Sequence, residues 1–193
     1  MLAVNPEMSF LTIRLAEPKD YGAIASIYNE AIAYGGITMD TQFYTAQDIQ
    51  AIVQKMNHRE ALFVAELPEK TIGWGIIKRY SDRLGYQVCC ETSIYLTFSK
   101  IGKGYGKALQ QVLIKKVANY GYHHIVAKIL AANQGSIRFH QQFGFEIVGI
   151  QKEIGFMNGT WHDVVIMQYI LPRSSGIKKF RSTHKGEYFV SRS

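Results

Sequence analysis

The chain has 193 residues, of which 47% are hydrophobic and 19% are charged. This composition is typical of one globular domain with a substantial core, of α/β or α+β class. Charged residues interrupt every apolar stretch well before ~18 residues, and the N-terminus lacks a basic start followed by an apolar run and a cleavage site. We therefore expect no membrane span, no secretion signal and a cytoplasmic location.

The formal net charge of +7 is concentrated at the C-terminus. Residues 172–193 hold six basic residues and one acidic residue, so residues 1–171 keep a net charge of only +2. A basic segment of this kind binds nucleic acid or membrane surfaces in some proteins, but a solvated terminus is the commoner case. We predict a disordered basic tail over 172–193, an N-terminal extension over 1–10 and one domain over 11–171, with no membrane or nucleic-acid partner.

The first half of the chain predicts one strand, two helices and two further strands. FLTIRLA has the alternation of a strand, and EPKDYGAIASIYNEAIAYGG carries apolar residues at helical spacing until a glycine pair ends it. A shorter helix is predicted from Thr45, which can act as its N-cap, to Met56. EALFVAELPEKTIGWGIIKRYS then predicts two strands joined by a Pro-Glu-Lys turn.

The second half begins with YQVCCETSIYLTF, whose β-branched and aromatic residues predict a long central strand. After a glycine-rich loop, apolar residues recur at helical spacing as far as Gly121, which suits a C-terminal cap. HHIVAKILA predicts a strand and NQGSIRFHQQ a short helix, and FEIVGIQKEIGF and WHDVVIMQYIL predict two strands joined by an NGT turn. The predicted order is β-α-α-β-β-β-α-β-α-β-β, a single mixed α/β domain.

The cysteine and histidine pairs point away from a disulfide and a metal site. Cys89 and Cys90 are neighbours on a predicted strand, so their side chains point to opposite faces and cannot easily bridge. His123 and His124 diverge for the same reason, and no Cys, His, Asp or Glu cluster at ligand spacing stands near them in the sequence. We predict core thiols in a reducing compartment and no metal.

The stretch SKIGKGYGKALQQ places glycines at three alternate positions directly before a predicted helix. Glycine lets a backbone turn sharply or approach a ligand closely, and a helix start offers N–H groups without intrahelical partners. The N–H groups of residues 101–106, the helix dipole and Lys103 or Lys107 can therefore bind a pyrophosphate. From the residues alone, the alternative is a flexible loop with solvated lysines.

Two common nucleotide motifs do not fit this loop. A Walker-type loop requires glycine and a hydroxyl at positions where this chain has Ile101 and Ala108. A dinucleotide fingerprint beginning at either of the first two glycines requires a third at Lys107 or Leu109, and an acidic residue that is missing between 106 and 145. Coenzyme A carries a pyrophosphate and remains compatible with the loop.

The loop IGKGYGKAL, the later segment NQGSIRFHQQFGFEIVG and the element order together resemble the GCN5-related N-acetyltransferase (GNAT) superfamily. Within it, YNEAI, the pair Gly73-Trp74, ETSIYL, SIRFHQQFGF and NGTWHDVVIMQ resemble the phosphinothricin N-acetyltransferase group, which includes methionine sulfoximine and methionine sulfone acetyltransferases. The match covers roughly residues 11–171, and several motifs in order are more specific than one. The resemblance implies the acyl-CoA N-acyltransferase fold, a mixed, mostly antiparallel sheet flanked by helices, with acetyl-CoA as cofactor and a homodimer.

The resemblance also implies a cofactor site. The strand segment that pairs with the pantetheine arm corresponds to Ile94, Tyr95 and Leu96. The pyrophosphate loop and an asparagine near the cofactor correspond to Ile101, Gly102, Lys103, Gly104, Tyr105, Gly106, Lys107 and Asn133. Relatives usually have Arg or Gln where this chain has Ile101, so we expect Lys100 to supply that polar contact.

Glu91 and His140 are the candidate catalytic residues. Acetyl transfer needs a neutral amine, because an ammonium has no lone pair, and a carboxylate in a mostly apolar strand can take its proton, directly or through water. Glu91, the only acidic residue between 84 and 145, stands where the resemblance places this base; from the residues alone it is equally a solvated strand-edge glutamate. His140 stands where relatives outside the group have a tyrosine that protonates the departing thiolate, and is an acid, a second base or a packed side chain.

Three further residues match the substrate side of the group. Arg83 and Tyr86 correspond to positions lining the amino-acid pocket, where the arginine can hold a carboxylate or phosphinate through two parallel hydrogen bonds. Tyr28 faces either the substrate or the core. The expected function is acetyl-CoA-dependent N-acetylation of the α-amino group of a small amino acid such as L-phosphinothricin or methionine sulfoximine. The alternatives are an acetyltransferase of protein N-termini or another amine, and a non-catalytic CoA- or RNA-binding module.

Overall fold

Seven strands form one sheet between two layers of helices in the computed structural model, which describes residues 6–68 and 70–172. The strands are β1 (Thr12–Leu15), β2 (Ala61–Leu67), β3 (Lys70–Arg79), β4 (Cys89–Leu96), β5 (His124–Leu130), β6 (Glu146–Met157) and β7 (Thr160–Ile170). The α-helices are α1 (Tyr21–Tyr34), α2 (Ala46–Gln54), α3 (Tyr105–Asn119) and α4 (Gln134–Gln141). The predicted element order and the mixed α/β class are confirmed. Apart from Pro172, the predicted basic tail lies outside the described residues.

The sheet order β1-β2-β3-β4-β5-β7-β6 places β4 and β5 at the centre. These two strands are parallel, while the other described neighbours are antiparallel, because α3 carries the chain from one end of the sheet back to the other. Residues 89–91 of β4 pair with residues 124–126 of β5, and beyond these three pairs the two strands diverge. Residues 92–96 remain paired only with β3, so one edge of β4 faces a gap.

Two apolar clusters hold the helices on opposite faces of the sheet. Cys90, Ile94 and Leu96 of β4 pack in the cluster beneath α3, whereas Tyr95 packs with α1 and α2 on the other face. Cys89 and Cys90 are buried free thiols, as predicted. Burial raises the pKa of the Cys89 thiol to about 11, so this thiol stays protonated and unreactive near neutral pH.

Local signals set the helix boundaries. The Thr45 side chain accepts from the N–H of Asp48 at 3.3 Å, and the Asp48 carboxylate accepts from the N–H of Thr45 at 2.8 Å, a capping box that starts α2. The first helix differs from its prediction because a 3-10 turn, Pro18–Asp20, precedes α1. Among the described residues, no helix has the length and apolarity needed to cross a membrane.

The described part of the predicted N-terminal extension contacts the glycine loop. Residues Pro6–Phe10 form a 3-10 turn. The Glu7 carboxylate accepts hydrogen bonds from Lys100 Nζ at 2.8 Å and from the Tyr105 hydroxyl at 2.5 Å, and both bonds lower its pKa. This turn therefore packs against the start of α3.

Candidate functional site

A cleft of about 300 Å³ lies where β4 and β5 diverge. It brings together residues from β4, β5, α4 and the glycine loop, which are far apart in the sequence. Seven predicted site residues line it, namely Ile94, Tyr95, Leu96, Ile101, Gly106, Asn133 and His140. Because β5 leaves β4 at this point, the free edge of residues 92–96 can pair with an extended amide ligand.

The glycine loop adopts backbone conformations that favour glycine. Gly102 and Gly104 have φ of +77° and +92°, values that side-chain-bearing residues rarely adopt. The N–H of Ala108 donates to the carbonyl of Gly104 in the first turn of α3, and Gly104, the N-cap residue, provides no side-chain cap. The helix start therefore presents N–H groups and the positive end of its dipole to a ligand.

Close packing at the loop and a buried polar atom in the cleft also fit a cofactor. A Cβ atom on Gly106 would lie 3.4 Å from Leu96 and 3.6 Å from Phe139, so this glycine lets α3 approach the cleft wall. The hydroxyl of Thr92 is buried, lines the cleft and has no hydrogen-bond partner within the described part of the chain. A ligand that carries amides and a pyrophosphate suits this combination of an unsatisfied hydroxyl, a strand edge and a helix start.

The side chains around the loop are divided between the cleft and the core. Tyr105 is fully buried and its hydroxyl bonds Glu7, so only its backbone can contribute to a ligand. Ile101 is half exposed and lines the cleft, and the side chains of Lys103 and Lys107 are exposed. The structure pairs Lys100 with Glu7 rather than directing it to the cleft.

His140 and Asn133 are held by the backbone of α4. The Asn133 side chain accepts from the N–H of Ser136 at 3.1 Å and caps the helix. His140 Nδ1 lies 2.8 Å from the carbonyl oxygen of Ser136, and since a carbonyl only accepts, Nδ1 carries the proton and Nε2 a lone pair. Burial lowers the pKa of His140, an effect that the Ser136 bond partly offsets. At neutral pH this imidazole is therefore uncharged.

A second cavity, of about 570 Å³, lies on the α1 side of the sheet. Its lining comes from the segments after α1 and after β3, from β4 and β5, and from the β6–β7 hairpin: Ile37, Thr38, Met39, Tyr80, Tyr95, Val126, Lys128, Leu130, Gln151, Ile154, Val164 and Ile166. Ile37, Tyr95 and Lys128 line both this cavity and the cleft. A group bound in one space therefore lies beside a group bound in the other.

Glu91 lies at this junction through an ion pair. Its Oε1 accepts from Lys128 Nζ at 2.7 Å, with the side chains 24% and 48% exposed respectively. The Lys128 ammonium also lies 5.6 Å from the centre of the Tyr80 ring. Glu91 itself lines an adjoining groove with Lys78 and Tyr80, so Lys128 stands between its carboxylate and the two cavities. Sequence analysis did not identify Lys128, although a lone cation in the apolar strand IVAKIL was a usable signal.

The three predicted substrate residues occupy different surroundings. The Tyr28 hydroxyl bonds Thr38 at 2.7 Å and Asp40 at 2.5 Å, and burial raises its pKa. Its ring packs edge to face on Tyr95 at 4.8 Å, so Tyr28 supports the cavity wall from behind.

Arg83 and Tyr86 lie in the exposed loop between β3 and β4, outside the lining of both cavities. The Tyr86 ring contacts Tyr80 at 5.5 Å and so reaches the second cavity indirectly. Across residues 6–68 and 70–172, no three His, Cys, Asp or Glu side chains group as metal ligands.

Comparison with known proteins gives a consistent family. Residues 13–166 match the family model described as acetyltransferase (GNAT) domain. The chain is 29% identical over 167 residues to an L-methionine sulfoximine/L-methionine sulfone acetyltransferase from Salmonella typhimurium, covering 82% of this chain and 93% of that protein.

Two solved structures have the same fold. A phosphinothricin acetyltransferase from Sinorhizobium meliloti in complex with acetyl-CoA has a TM-score of 0.78 and 30% identity, covering 84% of this chain and 89% of that one. A ribosomal-protein-alanine N-acetyltransferase from Brucella melitensis has a TM-score of 0.79 and 28% identity, covering 83% and 99%. With the family match extending over most of the sequence, this chain belongs to the GNAT acetyltransferase family.

Proposed function

We propose that this protein transfers the acetyl group of acetyl-CoA to the α-amino group of a small amino acid such as L-phosphinothricin or methionine sulfoximine. The observation that carries the proposal is the junction at Tyr95 and Lys128, where the strand-divergence cleft meets the second cavity beside Glu91. The similar proteins named for phosphinothricin and for methionine sulfoximine support this substrate class.

The cleft would hold acetyl-CoA, which supplies the acetyl thioester. The β4 edge formed by Ile94, Tyr95 and Leu96 would pair with the amides of the pantetheine arm, and the loop over residues 101–107 would bind the pyrophosphate through its N–H groups. Asn133 would stay at the cofactor as the cap of α4. A backbone N–H of residues 94–96 is the donor that would polarise the thioester carbonyl.

In this proposal Glu91 acts as the base. The amine would enter from the second cavity as an ammonium and give one proton to Glu91, directly or through water, so that its lone pair can attack the thioester carbonyl. As the C–N bond forms and the C–S bond breaks, CoA would leave as the thiol with the second proton that the nitrogen loses. The neutral His140, with its lone pair on Nε2, would serve as a second acceptor rather than as an acid. Arg83 and Tyr86 would meet the distal anionic group of a long substrate at the mouth of the second cavity.

We further propose that the active form is a homodimer joined through the β6–β7 hairpin. β6 is an edge strand whose side chains are exposed almost throughout. Six apolar side chains of the hairpin are about half exposed: Ile147, Val148, Ile150, Ile154, Phe156 and, on β7, Trp161. An apolar edge of this length favours pairing with another chain. The acetyltransferase domain is proposed to span residues 11–171, and two free cysteines suit a cytoplasmic enzyme.

Replacement of Glu91 by Gln tests the proposed base. Glu91→Gln keeps the shape of the side chain and removes its proton affinity, so acetyl-CoA should bind in calorimetry as in wild type. Turnover of L-methionine sulfone at neutral pH should fall about 10²–10⁴-fold, the usual worth of a positioned base. Part of the activity should return at high pH, where water deprotonates the amine.

Glu17→Gln is the matched control, because Glu17 forms a surface ion pair with Lys19 at 2.9 Å away from both cavities. If Glu91→Gln keeps near-wild-type turnover and its activity falls at low pH as in wild type, the base is elsewhere, and His140 is the next candidate. Wild-type activity on N-terminal peptides of proteins but on no free amino acid would favour the protein-acetyltransferase alternative. CoA binding without any turnover would favour a binding module.

A further inference from the structure

Lys128 occupies a position in the sheet that its neighbours do not explain. It follows the last β4–β5 pair, Glu91 with Val126, by two residues on β5. Ala127 and Ile129 on either side are buried towards α3, while Lys128 points to the opposite face and remains 48% exposed. A lysine in a central strand, between apolar residues and at a junction of two cavities, calls for an account in terms of what it binds.

The two cavities contain little other charge. Lys128 is the only Lys, Arg, Asp or Glu in the described lining of the cleft or of the second cavity. The remaining ionisable groups there are His140, which is neutral at pH 7, and tyrosine hydroxyls. A substrate anion that enters the second cavity therefore finds one cation, and that cation is already paired with Glu91 at 2.7 Å.

The ion pair leaves hydrogen-bonding capacity on both partners. An ammonium has three donors, of which Glu91 takes one, and a carboxylate has two acceptor oxygens, of which Lys128 takes one. Adjacent positive and negative groups of this kind complement the α-carboxylate and α-ammonium of a free amino acid, which are also adjacent and opposite in charge. Arg83 lies outside both cavities and cannot supply this contact in the described arrangement.

We propose that Lys128 is a specificity-determining residue that holds the α-carboxylate of the substrate while Glu91 faces its α-amine. The inference rests on the proposed amino-acid acetyltransferase function and deepens it. It makes the free α-carboxylate a requirement, so the enzyme selects free amino acids over protein N-termini, whose carboxylate is amidated.

The test compares L-methionine sulfone with its α-carboxamide, which keeps the amine and side chain but lacks the negative charge. Lys128→Met should raise the KM for the free acid about 10–100-fold, as expected for loss of a charge-assisted hydrogen bond. The kcat/KM for the carboxamide should change less than about threefold. Lys128→Arg should recover most of the loss, and Lys19→Met, at the surface ion pair with Glu17, should behave as wild type.

A binding measurement separates this inference from the proposed function. L-methionine sulfone should bind the CoA-saturated wild type in calorimetry and bind Lys128→Met at least about tenfold more weakly. Equal losses on both substrates would show that Lys128 only positions Glu91 and would overturn the inference, as would an unchanged Lys128→Met enzyme. If wild type acetylates neither compound, the proposed function fails; if wild type also does not bind the free acid, the carboxylate site fails too.

Discussion

His140 shows how one buried side chain links stability to pH. Burial lowers its pKa below the ordinary value of 6.5. As the pH falls through 6.5, the unfolded chain binds a proton on this imidazole, whereas the folded protein does so only at lower pH. The free energy of unfolding therefore decreases on acidification from pH 6.5 down to the lowered pKa. The stability that the uncharged, buried His140 contributes is fully present above pH 6.5.

His140→Gln should remove this part of the pH dependence. Between pH 6.5 and 5.5 the wild type should lose more of its unfolding free energy than the variant, measured by urea unfolding. His124, whose pKa burial also lowers, keeps its own share of the slope in both proteins. Replacement of the exposed His58 by Gln controls for histidine loss, and parallel curves for wild type and His140→Gln would contradict the prediction.

At the residue scale, the sequence locates the groups that motifs mark and misses those that only the fold brings together. Glu91 and His140 were identified through short motifs, and the structure places His140 in the cleft and Glu91 beside it. Lys128 was not identified from the sequence, because its position becomes notable only through its ion pair with Glu91, which lies 37 residues earlier. The Lys100–Glu7 pair, 93 residues apart, was missed for the same reason.

At the scale of elements, two glycines at the ends of α3 allow the effect of backbone strain on stability to be separated from an effect on ligand binding. Gly104 and Gly121 flank α3 and both have positive φ; a Cβ atom would make only an ordinary van der Waals contact with Met8, at 3.7 Å, on Gly104 and would meet nothing within 4 Å on Gly121. Substituting alanine at either site should lower stability by a similar amount, about 1 kcal/mol, because both backbones are left-handed. Only Gly104→Ala should also weaken acetyl-CoA binding, by about tenfold, since it disturbs the N–H groups that are proposed to bind the pyrophosphate.

Calorimetric titration and melting curves of the two variants decide the matter. A melting temperature lowered equally in both, with affinity lost in Gly104→Ala alone, supports the loop as the pyrophosphate site. Equal affinity losses in Gly104→Ala and Gly121→Ala would instead indicate a general effect of destabilising α3.

Element types were predictable because their signals are local. The capping residue of α2, the glycine after α3 and the NGT turn each act within a few residues, and all three appear in the structure. The divergence of β4 from β5 was not visible in either strand, since both read as uninterrupted strands. The register shift in β6, where Glu153 adopts φ of +50°, likewise depends on pairing with β7.

For the whole molecule, the β6 edge predicts the state of assembly. Val148→Glu places a charge on the exposed apolar edge without entering the core or either cavity. Light scattering should give wild type a molecular mass of twice the 21.9 kDa of one chain. It should give Val148→Glu the mass of a single chain. Turnover should fall about tenfold or more, because β6 also lines the second cavity.

Leu15→Glu is the matched control, since Leu15 is half exposed on β1 at the opposite edge of the sheet. It should leave the molecular mass unchanged. A wild-type protein that stays a single chain at high concentration would contradict the homodimer, and a Val148→Glu protein that still dimerises would place the interface on another surface.

The divergence of β4 and β5 also has a mechanical consequence. The strands β1 to β4 form one half of the sheet, and β5, β7 and β6 form the other. Only three residue pairs of the described strands, between β4 and β5, join the two halves directly. We expect the sheet to bend most easily between the strands that share the fewest residue pairs, which here lie beside the cleft proposed to bind acetyl-CoA. An extended ligand laid along residues 92–96 supplies the hydrogen bonds that the departing strand withholds. Bound acetyl-CoA would therefore stiffen the sheet between β4 and β5 as well as supply the acetyl group.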